Sequence, residues 1–315
     1  MQHTSLERPS ASGLTSGQRL TESSTQRLSS NELDKRIVAG SVILYNSSTD
    51  VIENIRSYAD QVDHLIVVDN SDAPIPEVIA ALTQFKSLTY ISNEGNPGVA
   101  YALNRAAEAA LTLGYTYLLT MDDDTRVPPG MVDAMLTYVS QQGPDTIGIV
   151  GAQSLPDQVQ YTAQDVWFTI TSGNLLNLRA YAACGPFMES LFIDWVDHEY
   201  CFRLKANHYR VIELNYLPLI HRLGMFKEAS VLGARVRKWI SHSPQRMYYK
   251  ARNSLYVMKM YEEFLPVSIR RFFYRAMVTD LINVVFFDSN KLQRLRFLLK
   301  AYQDYKRGRL GKLTA

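Results

Sequence analysis

The sequence predicts an α/β protein whose sheet is mostly parallel, and three observations support this prediction. The chain has 315 residues, of which 46% are apolar, and this is enough for one large core or two small ones. From Ile37 to Val150, short apolar runs alternate with segments of helical periodicity. No tight hairpin joins successive runs, and strand–helix–strand units repeated in this way build parallel sheets.

Each predicted strand is a short apolar run that ends in polar residues. The first run ends at Asn46-Ser-Ser-Thr and the second at Asp69-Asn-Ser-Asp, while the fourth leads directly into three consecutive aspartates. Strands are predicted over residues 37–45, 64–68, 88–91, 116–121 and 147–150, and helices over 50–60, 76–85, 98–113 and 128–142.

The two ends of the chain differ from this middle part. Residues 1–34 hold eight Ser and four Thr and no aromatic residue. Such a segment buries too little apolar surface to offset its ordering entropy, so a disordered tail is predicted. After Val150 we expect extended segments over 161–178, a helix over 197–207 and strands over 209–221. From Pro244 onward the pattern is helical and rich in Tyr, Phe and Arg.

Composition excludes several classes of protein. The net charge of +2 favours no particular partner. Cys184 and Cys201 are too few for a disulfide framework or a zinc cluster, and they fit a reducing compartment. No stretch reaches the roughly 18 apolar residues of a membrane span, and the N-terminus has no apolar segment typical of a secretory signal. We therefore expect a cytoplasmic protein whose only membrane contact is peripheral.

The triplet Asp122-Asp123-Asp124 is the strongest candidate site. At roughly 4 Å, like charges repel by about 4 kcal/mol at an effective dielectric constant of 20, so a cation is expected nearby. Asp122 and Asp124 point the same way in extended backbone, and paired carboxylates suit a hard divalent cation such as Mg²⁺ or Mn²⁺. The alternative is a solvated turn before the helix that begins near Pro128.

Other polar residues follow strands of the predicted sheet, where ligands bind in such folds. Asp69 either accepts hydrogen bonds from a ligand or stabilises its own turn. Asn96-Pro-Gly begins a helix, where backbone N–H groups favour anions, although the same tripeptide is an ordinary turn. Asp197 is either a general base or a helix N-cap. His221, behind an apolar run, is either a core residue or a ligand of the aspartate metal site.

Together these motifs resemble those of inverting family 2 glycosyltransferases with the GT-A fold. The resemblance points in particular to bacterial rhamnosyltransferases of cell-surface polysaccharide synthesis, such as that of O-antigen. It covers residues 37–264 and keeps the family's order and spacing. The segments that carry it are Val42–Asn46, Val67–Ser71, Asn96–Asn104, Leu118–Thr125, Thr171–Asn174 and Leu191–Arg203.

The resemblance implies roles for individual residues. It implies a catalytic base, Asp197, which takes the proton of the acceptor hydroxyl as that oxygen attacks the anomeric carbon of the donor. It implies a divalent ion, Mg²⁺ or Mn²⁺, that stabilises the departing diphosphate. The remaining roles are as follows: Tyr45, Asp69, Asn96 and Asn104 at the nucleotide base; Asp122 and Asp123 at the nucleoside sugar; Asp124, Asp122 and His221 at the metal; Arg252 at the diphosphate; Trp195 and Glu199 at the acceptor.

The same resemblance implies a domain organisation. Residues 35–150 form the half of the GT-A domain that binds the nucleotide sugar, and residues 151–243 form the half that binds the acceptor. Residues 244–315 form a basic, aromatic helical region. Between Arg270 and Lys312 there are eleven Lys or Arg against three Asp. This composition suits either an amphipathic surface on anionic lipid, at the inner face of the plasma membrane, or a helical subdomain or homo-oligomer interface.

The resemblance favours dTDP-L-rhamnose as the donor, with one departure. Related rhamnosyltransferases often have Gln in the middle of the triplet, where this chain has Asp123, and a triple aspartate occurs in galactofuranosyl-transferring relatives. A UDP-sugar donor, galactofuranose or a hexosamine, is therefore the alternative. The Gln-x-x-Arg-Trp motif of processive synthases is absent from the sequence, so we expect one or a few sugars per event.

Functions from other classes fit less well. A phosphatase of the haloacid dehalogenase type needs Thr or Val where Arg126 stands. A sugar nucleotidyltransferase would begin with a Gly-rich basic loop instead of Asn46-Ser-Ser-Thr. A nucleic-acid-binding protein would place the triplet against phosphates, so no nucleic acid partner is expected.

Overall fold

A computed structural model describes residues 37–153, 162–221, 226–231, 234–240 and 242–313, and residues 221, 226–231 and 234–240 by their backbone alone. The predicted tail, residues 1–34, lies outside the described residues. Residues 35–315 form one compact unit. The boundaries predicted within that unit at residues 150 and 243 remain predictions.

The described residues build an eight-stranded mixed sheet, which confirms the predicted fold class. Its strands are β1 (Val38–Leu44), β2 (His64–Asp69), β3 (Leu88–Ser92), β4 (Tyr117–Asp122), β6 (Ile147–Gln153), β7 (Ala163–Asp165), β8 (Asn174–Asn177) and β9 (Arg210–Pro218). Their order is β3-β2-β1-β4-β8-β6-β9-β7. Strands β3, β2, β1 and β4 are mutually parallel, as are β6 and β9, whereas β8 and β7 run antiparallel to their neighbours.

Two short pairs complete the described strands. β5 (Thr125–Arg126) pairs with β10 (Ile220–His221), and β11 (Phe226–Val231) pairs with β12 (Ala234–Ile240), both antiparallel. The second pair is a hairpin that the sequence patterns did not predict.

Helices cover the sheet and form the C-terminal region. They are α1 (Val51–Ala59), α2 (Pro76–Leu82), α3 (Val99–Thr112), α4 (Met131–Gln142), α5 (Leu178–Cys184), α6 (Val196–Ala206), α7 (Pro244–Met260), α8 (Val267–Ile282) and α9 (Lys291–Lys306). Single 3₁₀ and π-helical turns lie at Glu189–Leu191 and Asn283–Phe287. Helix α5 was not predicted. Within the described ranges, no helix combines the length and apolar character that a membrane span requires.

The core lies on both faces of the sheet because successive strand residues point to opposite sides. On β1, Ile43 packs into one cluster with the alanines of α3, while Val42 and Leu44 pack into the other with α1 and α4. The small alanine side chains of α3 let this helix lie close to the sheet. Both faces are therefore occupied by the core, and the edge formed by the strand ends is where polar side chains collect.

Candidate active site

The parallel register brings the polar ends of three strands to one edge of the sheet. Leu44 of β1 pairs with Asp69 of β2, and Ile43 pairs with Asp122 of β4. Tyr45, directly after β1, is half exposed at this edge. The residues that follow separate predicted strands are thus neighbours in the structure, as the rule for parallel sheets requires.

The aspartate triplet is held in place by α1 and by two loops. The backbone N–H of Asp122 donates to Ser172 Oγ at 3.0 Å. The carboxylate of Asp123 accepts a hydrogen bond from the Ser47 hydroxyl, and its carbonyl accepts one from Asn54 Nδ2 at 2.7 Å. These contacts fix the backbone of the triplet before any ligand binds.

Several carboxylates converge on Asp122. Burial, and after it the nearby charges of Asp124, Asp123 and Asp197, raise the pKa of this side chain to about 7, while Arg246 acts in the opposite direction. Asp197 comes from helix α6, so the structure joins the triplet to the second acidic motif. A carboxyl group in this environment gains most from a neighbouring cation.

The strand pair β5–β10 brings His221 beside the triplet. His221 pairs with Thr125, the residue that follows Asp124. Almost a hundred positions separate His221 from the triplet in the sequence. The backbone pairing of β10 with β5 brings them together, as the predicted shared metal site requires. The side chain of His221 is outside the described residues.

The donor set fits a hard divalent cation in its chemistry. Asp122 and Asp124 carry carboxylate oxygens, and burial together with the neighbouring like charges raises the pKa of Asp122. Among the described side chains, no three His, Cys, Asp or Glu residues already stand together as a metal-binding group.

Asp197 lies in the first turn of α6. Burial raises the pKa of its carboxyl group, but the His198 ring and the His198 backbone N–H outweigh this effect and hold the pKa below its ordinary value. Both groups contact Oδ1, with the N–H at 2.8 Å and His198 Nδ1 at 2.7 Å. The His198 ring is itself stacked on Phe168, with 4.6 Å between ring centroids. Asp197 is therefore an ionised carboxylate with a fixed orientation at neutral pH.

Asp194 and Arg246 form the rim of the same site. Arg246 Nε lies 3.3 Å from Asp194 Oδ1, and about half of the Arg246 side chain is exposed. Burial raises the pKa of Asp194 and Arg246 lowers it. Arg246 is thus a solvent-accessible cation beside the acidic residues.

At the predicted base pocket, Asp69 and Asn96 are engaged in their own turns. Asp69 is buried and accepts hydrogen bonds from the Ser71 N–H and the Tyr90 hydroxyl, each at 2.8 Å. Asn96 Oδ1 accepts the N–H of Gly98 at 2.9 Å. Both side chains stabilise turns at this edge of the sheet. A turn was one of the two alternatives for Asp69 and also for Asn96-Pro-Gly.

Asn104 has a structural role that the family resemblance did not indicate. Its side chain is buried, and all four of its hydrogen-bonding positions are used by protein groups. Oδ1 accepts from Tyr181 and from the N–H of Phe187, and Nδ2 donates to the Phe187 carbonyl and to Glu189. No position remains for the predicted nucleotide contact.

Arg252 is likewise a buried structural residue, 1% exposed, in place of the predicted diphosphate ligand. Its guanidinium donates to the carbonyls of Gly311 and Leu191 and to the Tyr248 hydroxyl. It also lies 5.2 Å from the ring centroids of Tyr248 and Tyr249. The exposed arginine of helix α7 at this site is Arg246.

The two residues predicted to bind the acceptor belong to the core instead. Glu199 is 1% exposed and accepts hydrogen bonds from Arg203 and from the Tyr261 hydroxyl. Trp195 is buried against His198 and Phe273.

Three residues of the site were missed by the sequence analysis. His198 follows Asp197 directly, and Asp194 precedes it by three positions, so their presence in the acidic motif was the available signal. Arg246 stands in no motif that the sequence patterns indicated. Its contact with Asp194 spans 52 residues and had no local signal.

The fold is that of GT-A glycosyltransferases, and the comparison with known proteins gives the family match. Residues 41–193 match the family model Glycosyl transferase family 2. This segment of the chain is therefore a family 2 glycosyltransferase domain.

One relative and two solved structures show how far the similarity extends. The dTDP-rhamnosyl transferase RfbF of Shigella flexneri is 24% identical in an alignment of 287 positions, and this alignment covers 82% of this chain and 90% of that protein. Residues 1–349 of S. aureus TarS give a TM-score of 0.56 at 14% identity, covering 85% of this chain and 80% of that one. GalNAc-T7, solved with UDP, GalNAc and Mn²⁺, gives 0.54 at 10% identity, covering 86% and 55%. At these identities the solved structures show the shared fold.

Proposed function

We propose that the protein transfers a sugar, with inversion, from a nucleotide-diphosphate donor to a hydroxyl of a glycan or a lipid-linked glycan. One observation carries this proposal. The triplet at the end of β4, Asp197 on α6 and Arg246 on α7 converge at one edge of the sheet. This arrangement supports a single site in which the proposed cation ligands, the proposed base and an exposed arginine act together.

Asp124 and Asp122, with His221, are the residues we assign to a divalent cation, Mg²⁺ or Mn²⁺. When bound, such an ion stabilises the negative charge that develops on the leaving diphosphate. GalNAc-T7, which shares the fold, was solved with Mn²⁺. That structure supports the assignment of a divalent ion, and the chemistry of the carboxylates supports a hard one.

Asp197 is the base in this proposal. It accepts the proton of the acceptor hydroxyl while that oxygen forms a bond to the anomeric carbon of the donor. The bond from this carbon to the diphosphate oxygen breaks on the opposite face, and the nucleoside diphosphate leaves. The two contacts that His198 makes with Asp197 are both on Oδ1. We therefore assign the proton to Oδ2, the oxygen that His198 does not contact.

Donor binding is assigned to the edge formed by the strand ends. Tyr45, Asp69 and Asn96 shape the pocket for the base, and Asp122 with Asp123 faces the nucleoside sugar. Arg246 takes the role at the diphosphate that the family resemblance implied for Arg252. This change is supported by exposure, because the guanidinium of Arg252 is buried and already donates four hydrogen bonds to protein groups.

We propose dTDP-L-rhamnose as the donor, in the synthesis of a cell-surface polysaccharide such as O-antigen on the cytoplasmic side of the membrane. The similarity to a dTDP-rhamnosyl transferase along most of both chains supports this donor. A UDP-sugar donor is the second candidate, favoured by the aspartate in the middle of the triplet. A sugar nucleotidyltransferase has no observation in its favour.

Donor hydrolysis tests this function without knowledge of the acceptor. Purified protein with Mn²⁺ is incubated with dTDP-L-rhamnose, UDP-galactofuranose or UDP-N-acetylglucosamine, and release of the nucleoside diphosphate is measured. We expect slow release of dTDP that EDTA abolishes. Release of UDP alone would transfer the proposal to the second donor class, and no release from any donor would contradict it.

We also propose that helix α8 contacts an anionic membrane surface. Phe272 and Val278 of α8, and Phe286 of the π-helical turn that follows it, are each more than half exposed, and Arg271 and Arg275 of α8 are exposed as well. Apolar and basic side chains on one exposed helix suit an interface with anionic lipid. A second copy of the chain is disfavoured, because a symmetric contact through α8 would bring the arginines of both copies together.

Sedimentation with lipid vesicles tests this surface. We expect binding to vesicles that contain phosphatidylglycerol but not to pure phosphatidylcholine, and loss of binding in the double variant Arg271→Glu/Arg275→Glu. Arg307→Glu, an exposed arginine at the end of α9, is the matched control. A dimer in solution that the double variant dissociates, without vesicle binding, would assign the surface to a second copy instead.

A further inference from the structure

Residues 191–195 form the loop that leads into helix α6, and several residues of this loop have an unfavourable backbone conformation. Phe192, Asp194 and Trp195 have φ angles of 67°, 61° and 68°. Residues with a Cβ rarely adopt positive φ, and they do so where the surrounding structure compels them. This loop carries Asp194 and ends at the first turn of α6, where Asp197 lies. Whatever holds the loop therefore also sets the position of both carboxylates.

Asn253 of helix α7 is the main support of this loop. It is fully buried, and its Nδ2 lies within hydrogen-bond distance, 2.8–2.9 Å, of three carbonyl groups of the loop region, those of Leu191, Ile193 and Asp194. Its Oδ1 accepts from Arg252 Nε at 2.9 Å, which fixes the orientation of the amide. One side chain thus contacts three carbonyls of this distorted loop.

The C-terminal segment 311–313 holds the same region from the other side. The Gly311 N–H donates to the Ser190 carbonyl at 2.6 Å, and the Gly311 carbonyl accepts from Arg252 at 2.8 Å. Lys312 Nζ donates to the carbonyl of Asn96 at 3.0 Å and lies 5.8 Å from the ring centroid of Phe192. This segment therefore links the loop before α6 to the turn before α3.

These two turns also contact each other directly. The N–H of Val99 donates to the Phe192 carbonyl at 2.7 Å. A Cβ on Gly98 would lie 2.7 Å from that carbonyl oxygen, so only glycine fits there. The turn that shapes the donor pocket and the loop that leads to Asp197 are consequently joined as one unit.

We infer that Asn253 and the segment 311–313 are positioning elements of the catalytic site. They hold the 191–195 loop in a conformation that turns Asp194 and Asp197 toward the aspartate triplet. This inference rests on the proposed function, since it assigns the two supports to the same reaction. A displacement of about 1 Å from a distant change is enough to lower a rate about a hundredfold.

Two variants remove the supports separately. Asn253→Asp keeps the size of the side chain and the acceptor for Arg252 but replaces the donors with an oxygen that faces three carbonyls. A chain that ends at Leu310 lacks the second support, and a chain that ends at Leu313 is its matched control. Asn207→Asp, at the exposed C-terminal end of α6, is the control for the first variant.

Two readouts are needed: steady-state transfer or donor hydrolysis, and hydrogen–deuterium exchange of the peptide that covers residues 189–196. We expect both variants to lower kcat at least about tenfold with donor KM changed less than about threefold. Exchange should rise in that peptide and stay constant in strand β2. The controls should resemble the wild type in both readouts.

Three results would overturn the inference. They are unchanged exchange in the 189–196 peptide, increased exchange there with unchanged kcat, and increased exchange throughout the chain. If the wild-type protein transfers no sugar at all, the proposed function fails, while local exchange still shows whether Asn253 and the segment 311–313 hold the loop. The two failures are therefore distinguishable.

Discussion

Asp122 is the residue on which burial and like charge act together in this site. Its pKa of about 7 implies that the folded apo protein keeps a proton there which the unfolded chain releases near pH 4. Between these values the folded state binds more protons than the unfolded state, so this group's contribution to stability falls as the pH rises. A divalent cation displaces that proton and reverses the effect.

This predicts a pH-dependent affinity for metal. Mn²⁺ should bind more tightly at pH 8 than at pH 6, by up to about tenfold for each pH unit below 7, because the ion competes with one proton. The shift of the unfolding temperature by Mn²⁺, measured from pH 5.5 to 8.5, checks this. Asp122→Asn should reduce the pH dependence to the part that the His221 ligand contributes, and a wild-type shift that is equal at all pH values would contradict the prediction.

Asp197 is predicted to act in turnover and not in donor binding. Asp197→Asn keeps the shape of the side chain but cannot accept the proton, so kcat should fall about 10²–10⁴-fold. The Kd for the nucleoside diphosphate, measured by calorimetry, should change little. Near wild-type turnover in this variant would refute its role as base.

At the residue scale, local motifs point to the candidate acids but not to the burial of the polar residues around them. The triplet and Asp197 stand in motifs whose order along the chain is informative. Whether a polar side chain such as Asn104 or Glu199 is exposed depends on what packs against it. Their partners, Tyr181 and Tyr261, lie 77 and 62 residues away, and no local pattern encodes those contacts.

At the scale of elements, helix α7 shows how two arginines on one helix differ in role. Arg246 and Arg252 are six positions apart, so they point to different sides of the helix. Arg246 stands at the rim beside Asp194, and Arg252 lies inside between α7 and the C-terminal segment. The sequence contained both residues without a way to choose between them.

A pair of substitutions tests this assignment. Arg246→Gln should lower kcat/KM about 10–100-fold, as expected when a charged hydrogen bond is lost, with little effect on unfolding. Arg252→Gln should reduce the free energy of unfolding by about 2–4 kcal/mol, because it leaves buried carbonyls without donors. Chemical denaturation and donor kinetics on both variants separate the effects. The opposite pattern would restore Arg252 as the diphosphate ligand.

The strands and helices of the first half were predicted well because their signals are local. Alternating apolar runs and helical periodicity located β1 to β4, α1 and α3 within a few residues of their observed bounds. Helix α5 has only seven residues, too few for a clear period, and the β11–β12 hairpin has no alternating pattern strong enough to stand out.

At the scale of the whole molecule, late segments of the chain contact turns and strands of its first half. Lys312 contacts Asn96 across 216 residues, and His221 pairs with Thr125. The composition of the C-terminal region suited either a surface on anionic lipid or a helical subdomain or oligomer interface, and it indicated no role for the last residues. Contacts at such separations follow from the completed fold, which explains why no local pattern indicates these supports.

The central claim is that the strand-end carboxylates form a metal-dependent site for a nucleotide-diphosphate sugar. Calorimetric titration with dTDP and with UDP, each with and without Mn²⁺, tests it most directly. Wild type and Asp124→Ala are compared, with Asp133→Ala, an exposed aspartate in the first turn of α4, as the control.

We predict Mn²⁺-dependent binding of dTDP in preference to UDP, kept by Asp133→Ala and lost in Asp124→Ala. Preference for UDP would keep the site and change the donor. Binding of neither nucleotide, or equal binding with and without Mn²⁺, would contradict the account.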